Sequence, residues 1–282
     1  MVTIVDGKAI AQDILEDLKG RVQKLKAQNK QPALAVVLVG DDKPSHTYVT
    51  KKQESAKDIG IDFFRFEFPA SVSKDELIAE VEKIQAEKNL SGMIIQLPVP
   101  EGLWNDTREI VNHINLDIDV DCLSYPALGK VLMGKSPFVP PTPGAIMHIL
   151  KYHQVSLDGK NICLVGRGDL IGKPLAGMLL NEKVAFSVHG RSTKNLADFT
   201  LAADIIITGV GKKDVVTSDM VSEGAMIIDA GVTFVDGKMY GDVDFAGVKD
   251  KASLITPVPG GVGPITVAKL LENTVISCEL RL

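Results

Sequence analysis

A lysine set among apolar residues is the first place in this chain where side-chain chemistry suggests itself. Residues 44–60 read Pro-Ser-His-Thr-Tyr-Val-Thr-Lys-Lys-Gln-Glu-Ser-Ala-Lys-Asp-Ile-Gly. Pro44 suits a first helical turn, Asp41 and Asp42 suit the positive end of the helix dipole, and Gly60 suits its stop. The stretch therefore predicts a helix over 44–59. At about 100° per residue, Tyr48, Ile59, Lys52, Ser45, Ala56 and Val49 share one arc. Lys51, Glu54, Lys57 and Asp58 lie elsewhere, which leaves Lys52 as the one charge on the less polar face. Two readings stand. The stem snorkels and the ammonium escapes to water, or the amine is partly desolvated beside an aromatic ring, with its pKa lowered toward proton-transfer chemistry.

Three other constellations carry possible chemistry. Gln96 ends a run otherwise made of Met93, Ile94, Ile95 and Leu97, and is either an amide capping a sheet end or one facing the same cleft as Lys52. Asp117, Asp119 and Asp121 alternate, so in an extended segment they would share one face, an arrangement that repulsion disfavours unless a cation is near. They lack the glycine and glutamate of a calcium loop, and the plain alternative is a solvated acidic loop. Gly166-Arg167-Gly168-Asp169-Leu170-Ile171-Gly172 is one residue longer than the usual dinucleotide fingerprint. Its glycines would admit a pyrophosphate to the backbone, with the helix beginning near Pro174 pointing its positive end there. The strand that follows ends in Gly190-Arg191-Ser192, without the carboxylate that holds a free ribose hydroxyl. Arg167 and Arg191 are available for a 2′-phosphate, which favours NADP over NAD unless these are ordinary surface arginines.

The elements that must position these groups alternate. A helix is expected over 7–28, strands at 34–39, 63–68 and 92–97, and a helix over 74–88. A stiff proline segment from Pro137 precedes a helix over 144–153. Further strands are expected at 161–165, 185–189, 205–209 and 226–229, then a hairpin at Asp236-Gly237. Residues 255–266 pack prolines and glycines into a shaped loop before a helix from Thr266. Strand-helix alternation of this kind predicts parallel α/β sheets with ligands at the carboxyl ends of the strands.

Composition narrows the class. A chain of 282 residues can hold two domains, and a net charge of −5 without basic runs argues against nucleic acid as a partner. No apolar run reaches membrane-spanning length, and the start Met1-Val-Thr-Ile-Val-Asp does not read as a signal peptide. Cys122, Cys163 and Cys278 are far apart and odd in number, which reads as reduced thiols in a cytoplasmic protein. The histidines lack metal spacing, so no metal is expected.

Taken together, Ser45-x-x-Tyr48-x-x-x-Lys52, Gln96-Leu97-Pro98-x-Pro100, Asp119-Val120-Asp121, Thr142-Pro143, Gly166-Arg167, Gly241-Asp242-Val243 and Pro257-Val-Pro-Gly-Gly-Val-Gly-Pro264 occur in one order. In that order the chain resembles the bifunctional methylenetetrahydrofolate dehydrogenase/methenyltetrahydrofolate cyclohydrolase (FolD) family over essentially its whole length. The resemblance implies an α/β fold of two domains with an active-site cleft between them. Residues 1–140 would form a three-layer catalytic domain, 141–265 a Rossmann-type NADP-binding domain, and a helix over 266–282 would pack back on the first. It implies oxidation of 5,10-methylenetetrahydrofolate with NADP, then hydrolysis to 10-formyltetrahydrofolate, in a homodimer.

By position, the resemblance makes Lys52 the general acid/base of the water step, held by Gln96. Tyr48 would pack on the folate rings and Asp121 would bind the amino edge of the pterin. Ser45, Pro98, Gly263 and Pro264 would complete the folate side. Thr142, Gly166, Arg167, Gly168, Gly172, Arg191, Ser192, Val232 and Thr266 would surround NADP. The chain departs from the family pattern at Ile118, Cys122, Pro141 and Gly168, where lysine, glycine, cysteine and serine are common, and 189–193 is one residue longer. Rival readings are a monofunctional dehydrogenase using NAD, which intact Lys52 and Gln96 oppose, and a nucleotide-binding regulatory module.

Overall fold

A computed structural model describes residues 2–281; the outer ends of the expected first domain and last helix, Met1 and Leu282, lie outside the described residues. The chain divides into two compact units. One comprises Gln12–Val131, Lys135–Pro140 and the chain from Val267; the other comprises the residues up to Ala11, Leu132–Gly134 and Pro141–Thr266. No helix among the described residues is long and apolar enough to cross a membrane.

In the first unit, Ala33–Val39 is buried at every residue and runs parallel between Asp62–Phe68 and Gly92–Ile95. A continuous apolar strand of this kind belongs in the middle of a parallel sheet covered on both faces. On one face Ala35, Val37 and Val39 join Leu77, Val81 and Ile84 in a buried cluster. The last three come from the Lys74–Glu87 helix, whose start is fixed by a capping box between Ser73 and Glu76. The strand expected over 92–97 stops at Ile95, and the chain then passes through the cis Leu97–Pro98 bond. The Gln96 N–H still donates to Val37 O at 2.8 Å, so Gln96 stays anchored at the carboxyl end of the sheet.

The second unit holds a parallel sheet of six strands among the described residues. Its order is Thr3–Ile4, Leu254–Ile255, Met226–Asp229, Ile205–Thr208, Ile162–Val165 and Phe186–His189. The chain thus passes from Ile162–Val165 to one side, then returns to the other with Ile205–Thr208. That reversal is a topological switch point, where open α/β sheets take their ligands. Residues 2–11 group with this second unit. Thr3 and Ile4 pair with Leu254 and Ile255, and Val5 N–H donates to Ile255 O at 2.9 Å. The short segment satisfies an otherwise open sheet edge.

Two helices begin earlier than their prolines suggested. Pro141–Tyr152 starts inside the expected connector, and Val262–Leu280 starts inside the expected loop. Proline is tolerated in a first turn, where its missing N–H would have had no helical partner. Thr142, Gly263 and Pro264 therefore sit in first turns. The hairpin forms as expected, with Asp236 and Gly237 both at positive φ between Thr233–Val235 and Lys238–Tyr240.

Candidate active site

The helix carrying Lys52 spans Lys43–Ile59. Asp42 caps it, accepting from Ser45 N–H at 2.8 Å and from the Ser45 hydroxyl at 2.6 Å, and Gly60 ends it in the left-handed conformation at φ 88°. Ser45, Val49, Ala56 and Ile59 are buried, while Tyr48 and Lys52, on the same arc, are half-buried. The apolar members thus seat the helix and leave the ring and the amine at the edge of the buried zone. Ser45 is buried, and its hydroxyl donates to the capping Asp42, which helps to position the helix.

Lys52 does not snorkel. Its Nζ donates to Gln96 Oε1 at 2.9 Å. Gln96 Nε2 donates to Leu97 O at 2.7 Å, which determines that the carbonyl end of the amide faces the lysine. Burial lowers the amine below the ordinary lysine range, opposed in part by the nearby Asp121 carboxylate. Burial also raises Tyr48, which keeps its phenol neutral. A neutral Lys52 amine giving one N–H to Gln96 retains a lone pair for another proton. Such an amine, with a carboxylate nearby, can perform general acid/base chemistry.

Asp117, Asp119 and Asp121 do not form one acidic face. Leu116–Ile118 is a helical turn, so the alternation expected of an extended segment is lost and each carboxylate has its own setting. Asp117 is exposed. Asp119 is fully buried and accepts N–H groups from Leu123 at 3.3 Å and Ser124 at 2.9 Å, which closes the loop behind Asp121. Asp121 is pushed up to about 6 by burial, with Lys52 pulling the other way and Asp119 adding to the rise. Asn273 holds this segment from the last helix, donating to Val120 O at 2.8 Å and Val139 O at 2.7 Å. The sequence reading missed Asn273. Its only signal was an amide among the apolar residues of that helix.

In the second unit Gly166 stands at the switch point with φ +125°, and a Cβ there would lie 2.6 Å from Gly209 O. A Cβ on Gly172 would lie 2.3 Å from Gly166 O. These glycines leave bare backbone at the start of the Gly172–Asn181 helix, a cradle that fits a dinucleotide pyrophosphate. Gly168 is different: a Cβ there meets nothing within 4 Å. The tight members are therefore Gly166, Gly172 and Gly209, and spacing alone did not reveal the third. Arg167 lies against Gly190, where a Cβ would be 3.1 Å from its Nε. Arg191 and Ser192 are exposed in the turn closed by Thr193 N–H to Gly190 O at 2.8 Å. The two arginines thus meet at one loop. The Thr142 and Thr266 hydroxyls approach to 3.4 Å, and Val232 is exposed just before the hairpin. Pro98 is exposed beside Gln96, while Gly263 and Pro264 are half-buried.

Two family models match the chain. "Tetrahydrofolate dehydrogenase/cyclohydrolase, catalytic domain" covers residues 5–121, and "Tetrahydrofolate dehydrogenase/cyclohydrolase, NAD(P)-binding domain" covers 140–282. The bifunctional protein FolD of Nautilia profundicola is 42% identical over 275 residues, 97% of this chain and 96% of that protein. The crystal structure of the FolD enzyme of Campylobacter jejuni superposes with a TM-score of 0.95 at 39% identity, covering 100% of both chains. The Trypanosoma brucei FolD, solved with NADP and an inhibitor, superposes with a TM-score of 0.94 at 33% identity, covering 100% of this chain and 99% of that one.

Proposed function

Since this chain belongs to the tetrahydrofolate dehydrogenase/cyclohydrolase family, we propose that it oxidises 5,10-methylenetetrahydrofolate with NADP and hydrolyses the resulting methenyl cation to 10-formyltetrahydrofolate. The observation that carries the hydrolytic half is the 2.9 Å contact between a desolvated Lys52 amine and Gln96. Neutral Lys52 takes a proton from water as its oxygen bonds to the methenyl carbon. It returns that proton to N5 as the carbon–N5 bond breaks, and the remaining hydroxyl proton leaves as the formyl carbonyl forms. Gln96 holds the amine in place through both transfers. Tyr48 packs on the pterin, and Asp121 accepts from its amino edge. Pro98, Gly263 and Pro264 bound the folate.

When bound, the nicotinamide supplies a hydride acceptor for the one-carbon bridge. Gly166 and Gly172 would receive its pyrophosphate, Thr142, Thr266 and Val232 would line its site, and Arg167, Arg191 and Ser192 would hold the 2′-phosphate. A second copy of the chain is the proposed partner, supported by the open outer edge of the Phe186–His189 strand. Three buried free thiols accord with a reducing, cytoplasmic setting. An assay that supplies methylenetetrahydrofolate with each cofactor, following reduced cofactor and methenyl product separately, tests the reading. Turnover with neither cofactor would contradict it.

Two predictions concern recognition. The folate KM should rise as pH falls through about 6, because protonation removes the charge of Asp121, and Asp121→Asn should weaken folate and flatten that dependence. A pH-independent KM in the unsubstituted enzyme would count against the Asp121 anchor. For the cofactor, Arg191→Ala should weaken NADP about tenfold more than NAD. Gly168→Ser, which the open space at Gly168 admits, should tighten NADP. An unchanged NADP/NAD ratio in Arg191→Ala would move the 2′-phosphate contact to Arg167.

A further inference from the structure

Two carboxylates buried in the second unit take no part in the chemistry above. Asp242 is fully buried and Asp229 nearly so. Asp242 Oδ2 accepts Val210 N–H at 2.6 Å, and its Oδ1 accepts Gly211 N–H and Lys212 N–H, each at 2.9 Å. Asp229 accepts from the N–H groups of Gly231 at 2.9 Å, Asp242 at 3.1 Å and Val243 at 3.0 Å, and from the Thr208 hydroxyl at 2.9 Å. Thr256 Oγ1 takes the Asp229 N–H at 2.7 Å. The network therefore ties together the carboxyl ends of three neighbouring strands, Ile205–Thr208, Met226–Asp229 and Leu254–Ile255.

The backbone is shaped around it. A Cβ on Gly231 would lie 2.0 Å from the Asp242 carboxyl carbon, and one on Gly241 would lie 2.0 Å from Asp229 Oδ2. Both glycines are bare because a carboxylate occupies the place of a side chain. Three N–H groups converging on one carboxylate also leave its segment little freedom, since each unpaired donor in this dry setting would carry a large desolvation cost.

From this arrangement we propose that Asp242 is a positioning residue of the nucleotide site, holding two strand-end loops in the register the cofactor requires. The first loop, Gly209 to Lys212, hangs on its carboxylate and presents Gly209 O to Gly166, so its placement sets one wall of the glycine cradle. The second begins at Gly231, pressed against the same carboxylate, and carries Val232 outward. Asp242 itself is sealed from solvent and acts only through these loops.

The inference rests on the assignment of this end of the sheet to NADP. Asp242→Asn keeps the side-chain volume but turns one N–H acceptor into a donor facing a donor. Titration of the purified Asp242→Asn protein with NADP should show affinity weakened by about tenfold or more, with hydrolysis of supplied methenyl substrate and the folate KM within about twofold of the unsubstituted enzyme. Asp242→Ala should weaken NADP further if it folds; Asp242→Asn decides the matter if it does not. Parallel loss of both activities, or unchanged NADP affinity, would overturn the proposal. Failure of the unsubstituted protein to bind NADP would instead overturn the assignment of the site, and the inference with it.

Discussion

Lys52→Gln should cut hydrolysis of the methenyl cation by orders of magnitude while leaving hydride transfer measurable. Glutamine is one bond shorter but is polar and of similar volume, so the helix and its neighbours keep their places. What it lacks is a basic nitrogen. Positioned general acid/base groups contribute about 10²–10⁴-fold, and loss of the single amine held 2.9 Å from Gln96 should cost hydrolysis a factor in that range. Hydride transfer asks mainly for alignment of donor and acceptor, which Tyr48 and Asp121 continue to supply on the folate side. Assays on the two substrates, each supplied separately, check the split. Equal loss of both would mean that Lys52 holds the substrate and does not move its protons.

The second large effect is the mirror image. Gly172→Ala should remove most NADP-dependent oxidation and spare hydrolysis. The added methyl would lie 2.3 Å from Gly166 O and 2.6 Å from the Arg167 Cα, both backbone atoms that no rotamer change can clear. The start of the Gly172–Asn181 helix must therefore shift away from the glycine turn. A displacement of about 1 Å at a phosphate cradle is enough for a loss on the order of 10²-fold. Overpacking of this kind also costs about 1–3 kcal/mol of stability, so cofactor affinity and melting temperature are measured together. An NADP affinity that survives Gly172→Ala would exclude the cradle as the pyrophosphate site.

How much of this was legible beforehand depended on how local each cause is. The arc of the Lys43–Ile59 helix was readable because helical periodicity and caps are written in adjacent residues, and the buried set Ser45, Val49, Ala56 and Ile59 lies on it. Whether Lys52 snorkels was not readable. The answer depends on Gln96, which reaches the same place only because the Ala33–Val39 and Gly92–Ile95 strands are neighbours. Asp119 and Asp121 misled for the opposite reason. Alternation implies a shared face only in an extended chain, and the helical turn at Leu116–Ile118 breaks that premise. Gly168 looked equivalent to Gly166 and Gly172, yet it meets nothing, while Gly209 completes the tight set through the pairing of Val165 with Thr208. The proline clusters at the helix starts Pro141 and Val262 read equally well as loops, since the same residue serves both. The family resemblance supplied the chemistry of the site; the physical reasons for individual residues came from packing.

Burial lowers the Lys52 amine below the ordinary lysine range, and Gln96 holds it in place to accept a proton. Its ionisation can be read directly by NMR, following the Lys52 side-chain amine against pH and assigning the signal by its loss in Lys52→Gln. A midpoint below the ordinary lysine value of about 10.4 is the predicted result. A midpoint at or above that value would contradict it, and would return Lys52 to the role of a solvated surface charge.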